Sequence, residues 1–295
     1  MISWYSGGSL EKLIVEFSVS RFLSLSSAQS ATLSADTQPQ SDQSPATQFN
    51  PGQTPANDKN GFGKILVGIC TLNESKNIES LIHQVRGFVP EADILIVDDD
   101  SEDGTSAIVS KLAESDTKLT LNVRKQRGLG GAIRHAMVAA IKGEYDLFIN
   151  MDGDLSHSPS DLPAMLEAHA GRDDIDVVIG SRYVSGGKID GWPLHRRLMS
   201  RLVNRFATLC LGLPVRDCSG SMRCYRVSAL RDASATDLES NGYSILEEIL
   251  VAMHRGGSTM TEVPITFTDR TQGESKLTLR EATRSMIHMV KLSIR

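Results

Sequence analysis

Between residues 64 and 179, five short apolar runs alternate with four stretches of helical spacing, and few folds accept that rhythm. The runs are residues 65–70, 94–97, 119–123, 147–151 and 177–179. Residues 75–88 place Ile78, Leu81, Ile82 and Val85 on one helical face, and residues 105–112, 129–141 and 162–170 repeat the spacing. Strand–helix alternation repeated four times predicts an α/β architecture, a mostly parallel sheet flanked by helices. Ligands of such sheets lie beyond the carboxyl ends of the strands. Two acidic clusters fall at those ends, the run opened by Asp98, Asp99 and Asp100 and the triplet Asp152-Gly153-Asp154.

Two carboxylates two residues apart after a buried strand converge on a hard divalent cation, Mg²⁺ or Mn²⁺. A cation there would neutralise a diphosphate and stabilise it as a leaving group. The acids at 98–103 need compensating donors or a cation. Asp103 or Ser101 suits capping of the helix that follows Gly104, leaving Asp98 or Asp99 to face a ligand. Gly128, Gly130 and Gly131 open a helix, where the backbone either approaches an anion or makes a flexible turn. Arg182, Arg270 and Lys276 sit in Gly/Ser-rich segments and suit phosphate oxygens. His157 reads as a hydrogen-bonded structural residue rather than a ligand, and no Ser-His-Asp set is apparent.

The second half is less regular. Residues 194–211 and 243–254 have helical spacing, residues 259–268 suit a strand, and residues 279–294 suit a terminal amphipathic helix. The formal charge of −5 argues against a nucleic-acid partner. Yet residues 182–231 hold ten Lys/Arg against two acids, a net of +8, and six against two follow Asp269. Residues 1–60, rich in Ser, Thr, Gln and Pro, read as a disordered low-complexity tail, leaving one domain over 61–295. Cys70, Cys210, Cys218 and Cys224 form no ligand or disulfide pattern and read as reduced thiols of a cytoplasmic protein. Neither a signal peptide nor a spanning helix is evident.

From Lys64 to Lys276 the ordered motifs resemble the GT-A (Rossmann-like) fold of family 2 glycosyltransferases, most closely dolichol-phosphate (polyprenol-phosphate) mannosyltransferases. The resemblance is carried by Thr71-Leu72-Asn73-Glu74, Val97-Asp98-Asp99, Asp103-Gly104-Thr105, Asp152-Gly153-Asp154-Leu155-Ser156-His157, Gly180-Ser181-Arg182-Tyr183, Asp217 with Ser219-Gly220-Ser221, and Arg270 with Gly273-Glu274-Ser275-Lys276. It departs from the family at Cys70 and Leu72, where P-T-Y-N-E is usual. It departs again at Asp100 for Gly, at Gly153 for Ala and at Ser221-Met222, where an aromatic is frequent.

The resemblance implies a donor, GDP-mannose, bordered by Thr71, Asn73, Glu74, Asp98, Asp99, Gly128 and Gly153. It implies a divalent metal on Asp152 and Asp154, with Ser156 where some relatives place a third, Gln ligand. Arg270 and Lys276 would clamp the diphosphate. Arg182, Arg196 and Ser200 would grip the phosphate of a polyprenyl or dolichyl phosphate acceptor. That phosphate is ionised near neutral pH, so no general base is required, and in-line attack would invert an α-linked donor to a β-linked product. The +8 segment and the terminal helix would meet the membrane surface from the cytoplasmic face, with a membrane-anchored partner subunit as a further expectation. A polyprenyl-phosphate glucosyltransferase, another family 2 glycosyltransferase, and a metal-dependent sugar nucleotidyltransferase stay open as alternatives.

Overall fold

The five apolar runs form β1 (Ile65–Thr71), β2 (Asp93–Asp98), β3 (Leu119–Val123), β4 (Leu147–Asp152) and β5 (Val177–Ser181). Between them lie α1 (Ile78–Phe88), α2 (Thr105–Ala113), α3 (Leu129–Lys142) and α4 (Leu162–His169). Then follow β6 (Lys188–Asp190), α5 (Leu194–Leu211), β7 (Arg223–Arg226), α6 (Val227–Asp232), α7 (Ile245–Arg255), β8 (Met260–Pro264) and β9 (Thr266–Thr268). The computed structural model describes residues 61–238, 240–269 and 292–293, all within the unit Lys59–Arg295. The tail expected over 1–60, Arg270 and Lys276 lie outside the described residues, as does the helix expected over 279–294 apart from Leu292 and Ser293.

Among the described residues, the main sheet has seven strands in the order β3-β2-β1-β4-β7-β5-β8. Its strands run parallel except β7, which is antiparallel to both β4 and β5. A separate pair, β6 and β9, runs parallel. Alternate residues of β1 serve opposite faces. Ile65, Val67 and Ile69 pack with α1, α2 and α4, whereas Leu66 joins the layer of α3, α6 and α7. Burying both faces explains why the strands read as continuous apolar runs. Each fully buried side chain of this size contributes roughly 1.5–3 kcal/mol before chain entropy is subtracted.

Register decides what reaches the ligand edge. Thr71 pairs with Asp98 and Cys70 with Asp152, so β1, β2 and β4 finish together. The strand order reverses between β1 and β4, and the crevice of a doubly wound sheet opens at such a point. Because β7 runs the other way, its amino end at Arg223, opposite Asn150, faces that same edge.

The structure corrects three boundaries. The first helix starts at Ile78 rather than residue 75, because Asn73 turns into the left-handed region (φ 62°) and Glu74 O accepts the amides of Asn77 and Ile78. The strand expected over 259–268 breaks at buried Ile265, and its halves join different sheets. By position the cap of α2 is Gly104 (φ 92°), while Asp103 accepts the amide of Thr105 just inside the helix.

Candidate active site

The loop after β2 is held together by its own carboxylates. Asp98, fully buried, accepts four hydrogen bonds: from Thr71 Oγ1 (2.7 Å), the Ser101 amide (2.9 Å), Ser101 Oγ (2.6 Å) and Ser106 Oγ (2.7 Å). Burial alone would raise its pKa, but these donors outweigh burial and hold it below the usual aspartate range. Asp103 accepts the amides of Ser75 and Thr105 and the Thr105 hydroxyl, and these outweigh desolvation to bring it down to about 2. Asn73 laces the first loop to the second: its amide donates to Ser101 Oγ and its Oδ1 accepts the Glu102 amide. Glu74 is tied in through its amide to Thr105 Oγ1 and through Oε2 to Asn77.

Asp99 takes a different partner. Arg124 Nη1 donates to Oδ1 at 2.5 Å and the Gly128 amide donates to Oδ2 at 2.7 Å, yet burial prevails and raises the Asp99 pKa. The amino terminus of α3 therefore already has an anion, the protein's own Asp99. The Gly130 amide donates to Asn241 O, and a Cβ at Gly130 would collide with Ser240 O, so glycine there admits the crossing segment 240–241. The structure thus closes a position that the sequence left open for an external anion.

After β4 the chain folds back sharply. Leu155 adopts φ 60°, a strained position for a leucine, and lets the Ser156 amide donate to Asp154 Oδ1 at 2.9 Å. Three of the five non-glycine residues with positive φ among the described residues, Asn73, Asp100 and Leu155, lie in these strand-end loops, where functional constraint concentrates strain. Gly153 has no room for a side chain: a Cβ would stand 2.8 Å from Thr71 Cγ2 and 3.3 Å from Glu74 Cγ. Asp152 Oδ2 accepts Ser221 Oγ at 2.6 Å.

His157, expected to be hydrogen-bonded, is buried with neither ring nitrogen hydrogen-bonded among the described residues. Its Nδ1 lies 3.9 Å from Asp152 Oδ2 and its ring meets Phe267 edge-on at 5.2 Å. Burial lowers its pKa, so the imidazole is held neutral. The hydroxyl of buried Ser156 likewise makes no hydrogen bond among these residues. Cys70 lies behind the site with its thiol pushed far up by burial and by Asp152 and Asp99.

On the opposite side Arg182 forms a closed fork with Asp217, Nε to Oδ2 and Nη2 to Oδ1 both at 2.7 Å, and reaches Ser219 Oγ at 2.7 Å. Desolvation opposes the guanidinium charge, but Asp217 outweighs it and raises the Arg182 pKa; Asp217 is held low in return. Arg196, on α5, stacks over Trp192 at 3.9 Å and, among the described residues, makes one long ion pair, with Asp269 at 3.3 Å. Ser200, one turn on, hydrogen-bonds Tyr183 OH at 2.7 Å. Phe267 sits between His157 and Trp192, completing an aromatic wall from the acidic turn to α5. Sequence reasoning did not single out Arg124, Trp192 or Phe267, and it named Ser221 without its partner Asp152, 69 residues away.

Residues 66–233 match the family described as Glycosyl transferase family 2. The chain belongs to glycosyl transferase family 2. This glycosyltransferase is 37% identical over 215 residues to an undecaprenyl-phosphate mannosyltransferase of Micrococcus luteus, covering 72% of this chain and 87% of that protein. It is 33% identical over 235 residues to a polyprenol monophosphomannose synthase of Mycolicibacterium smegmatis, covering 79% and 88%. Among solved structures it is similar to glucosyl-3-phosphoglycerate synthase of Mycobacterium tuberculosis, with a TM-score of 0.57, 18% identity and coverage of 78% and 80%. That likeness is one of fold, and it bears out the GT-A arrangement of a mostly parallel sheet between helices. Among the described residues of the glycosyltransferase, no three His, Cys, Asp or Glu side chains converge as a ready-made metal cluster, and no helix is long and apolar enough to cross a membrane.

Proposed function

We propose that this glycosyltransferase moves mannose from GDP-mannose to the phosphate of a polyprenyl or dolichyl phosphate, with inversion to a β-linked product, at the cytoplasmic face of a membrane. The relatives named for this lipid class support the acceptor. The observation that carries the reading is that Asp152 and Arg182 are joined through one loop, residues 217–221. Groups for a cation and groups for a phosphate therefore share a rim.

Thr71, Asn73, Glu74, Asp98, Asp99, Gly128 and Gly153 border the donor's nucleoside. Asp98 and Asn73 act by fixing loop shape, since their polar groups are used internally. Held by Asp152 and Asp154, with Ser156 as third donor, a magnesium or manganese ion would neutralise the departing diphosphate. The donor set fits: two hard carboxylates and a buried hydroxyl without a hydrogen-bond partner among the described residues. Arg270 and Lys276 clamp the diphosphate. Arg182, Arg196 and Ser200 bind the acceptor phosphate, whose oxygen attacks without a base because it is already ionised. Fixed donors then offset repulsion between two anions at one carbon.

The first half of α5 supplies the membrane contact. Leu194, Leu198, Met199 and Leu202 are 79%, 56%, 58% and 53% exposed, interleaved with exposed Arg197, Arg201 and Arg205. A basic helix with an uncovered apolar face lies in the interface of anionic lipid.

The test is a panel of GDP-mannose and UDP-glucose with a short polyprenyl phosphate and Mg²⁺ or Mn²⁺, scored for glycolipid in the organic phase and for anomeric configuration. GDP-mannose is expected to support transfer and GDP to be released. Absence of transfer from every nucleotide-sugar overturns the reading, and release of pyrophosphate would instead identify a nucleotidyltransferase.

A further inference from the structure

We propose that Ser221 is a positioning residue for the cation, fixing the carboxylate of Asp152 in the orientation a divalent ion requires. The inference rests on the reading of Asp152 as a cation ligand. Ser221 is buried, and its hydroxyl donates to Asp152 Oδ2 at 2.6 Å. The hydroxyl cannot drift, because the loop around it is fixed on both sides. Its own carbonyl accepts Asn150 Nδ2 at 2.7 Å, and Asn150 is buried two residues before Asp152 on the same strand. The next carbonyl, Met222 O, accepts the Gly180 amide at 2.9 Å. Upstream, Asp217 Oδ1 accepts the amides of Ser219 (3.3 Å) and Gly220 (3.1 Å) while the Arg182 fork holds Asp217. Cys218 is anchored by its amide to Asn204 Oδ1 at 3.1 Å.

The carboxylate so gripped is more exposed than the one that anchors its loop: the Asp152 side chain is 25% accessible against 0% for Asp217. An ionised carboxylate has about four acceptor positions. Ser221 takes one on Oδ2 and so restrains the rotation of the side chain. Without the hydroxyl, that restraint on the Asp152 carboxylate is lost. The loop also links the two halves of the reaction, since the same Asp217 that holds Ser221's loop holds Arg182 on the acceptor side.

Mn²⁺ alone, titrated into the purified full-length protein and followed by the loss of the free-ion electron paramagnetic resonance signal, tests this. Ser221→Ala is expected to weaken Mn²⁺ binding by about tenfold or more, the usual effect of removing a group that orients a ligand. Ser221→Thr, which keeps the hydroxyl, should bind close to wild type. Mannosyl transfer by Ser221→Ala should need correspondingly more Mn²⁺ and recover most of its kcat at saturation. If Ser221→Ala fails to give a cooperative melt, Ser221→Thr against the isosteric Ser221→Val makes the same comparison. Unchanged Mn²⁺ affinity in a folded Ser221→Ala, or an equal loss in Ser221→Thr, overturns the inference and leaves the cation reading standing. No Mn²⁺ binding by the wild-type protein overturns the cation reading as well.

Discussion

The loops that close β1 and β2 and the first half of α5 carry opposite charge, and they are built in opposite ways. In the acidic loops the carboxylates of Asp98, Asp99 and Asp103 are each engaged by two or more protein donors. On α5, Arg197 reaches a backbone carbonyl of Trp192, Arg196 makes one long pair, and large apolar side chains stand uncovered between them. The first region is organised before any ligand arrives, so little is lost in ordering it at the moment of reaction. The second keeps its groups adjustable, as the proposed contact with a fluid lipid surface would demand. Arg182 belongs by sequence to the basic segment and by construction to the rigid region.

That contrast can be broken by substitution. The largest effect is expected for Asp152→Asn, with turnover lower by about two to three orders of magnitude in the glycolipid assay; near-normal turnover would remove the acidic turn from the chemistry. Arg182→Ala should lose about 3–5 kcal/mol of stability in urea, because Asp217 is left buried without its partner. Arg196→Ala should lose less than about 1 kcal/mol and act instead on the KM for the acceptor. Similar losses of stability in both variants would erase the distinction between rigid and adjustable arginines. Leu198→Glu with Leu202→Glu should abolish cosedimentation with anionic phosphatidylglycerol vesicles at an unchanged melting temperature, and retained cosedimentation would move the lipid contact off α5.

The smallest expected effect sharpens the rigid side. Glu247, buried in the layer beneath the Asp217 loop, is raised by burial to about 7. An acid whose folded pKa lies above its unfolded value of 4.5 binds its proton more tightly when folded. Its contribution is therefore full below that value and disappears as pH rises through about 7. Glu247→Gln should flatten the fall in urea stability between those limits, and an unaltered pH profile would show that this carboxyl is not held neutral.

Strands β1, β2, β4 and β5 were legible because strands buried on both faces must be apolar throughout, whereas β3, at the edge of the sheet, is only partly buried. Strand β7 was not, since Arg-Cys-Tyr-Arg looks like a surface segment. Arg223 is nevertheless wholly buried, with Nη1 and Nη2 donating to the carbonyls of Leu246 and Cys218 while Nε has no hydrogen-bond partner among the described residues. The acidic turn could be read because its strand ends there, and register alone carries Asp98 and Asp152 to one edge. What could not be read is which donor meets which acceptor across the sheet. Arg124 with Asp99 and Ser221 with Asp152 are 25 and 69 residues apart. The glycines at the start of α3 stayed ambiguous for a related reason: a helix terminus attracts anions, and only the fold shows that the protein supplies its own.

The reversed direction of β7 has a consequence for engineering. Chain inserted just before this strand arrives beside the pocket, whereas chain inserted just after it, in the α6 region, emerges at the far edge of the sheet. Fluorescent reporters or affinity handles grafted at residues 231–234 should therefore spare turnover, while comparable grafts at residues 219–222 should abolish it. One backward strand thus divides the molecule into a side that tolerates elaboration and a side that does not.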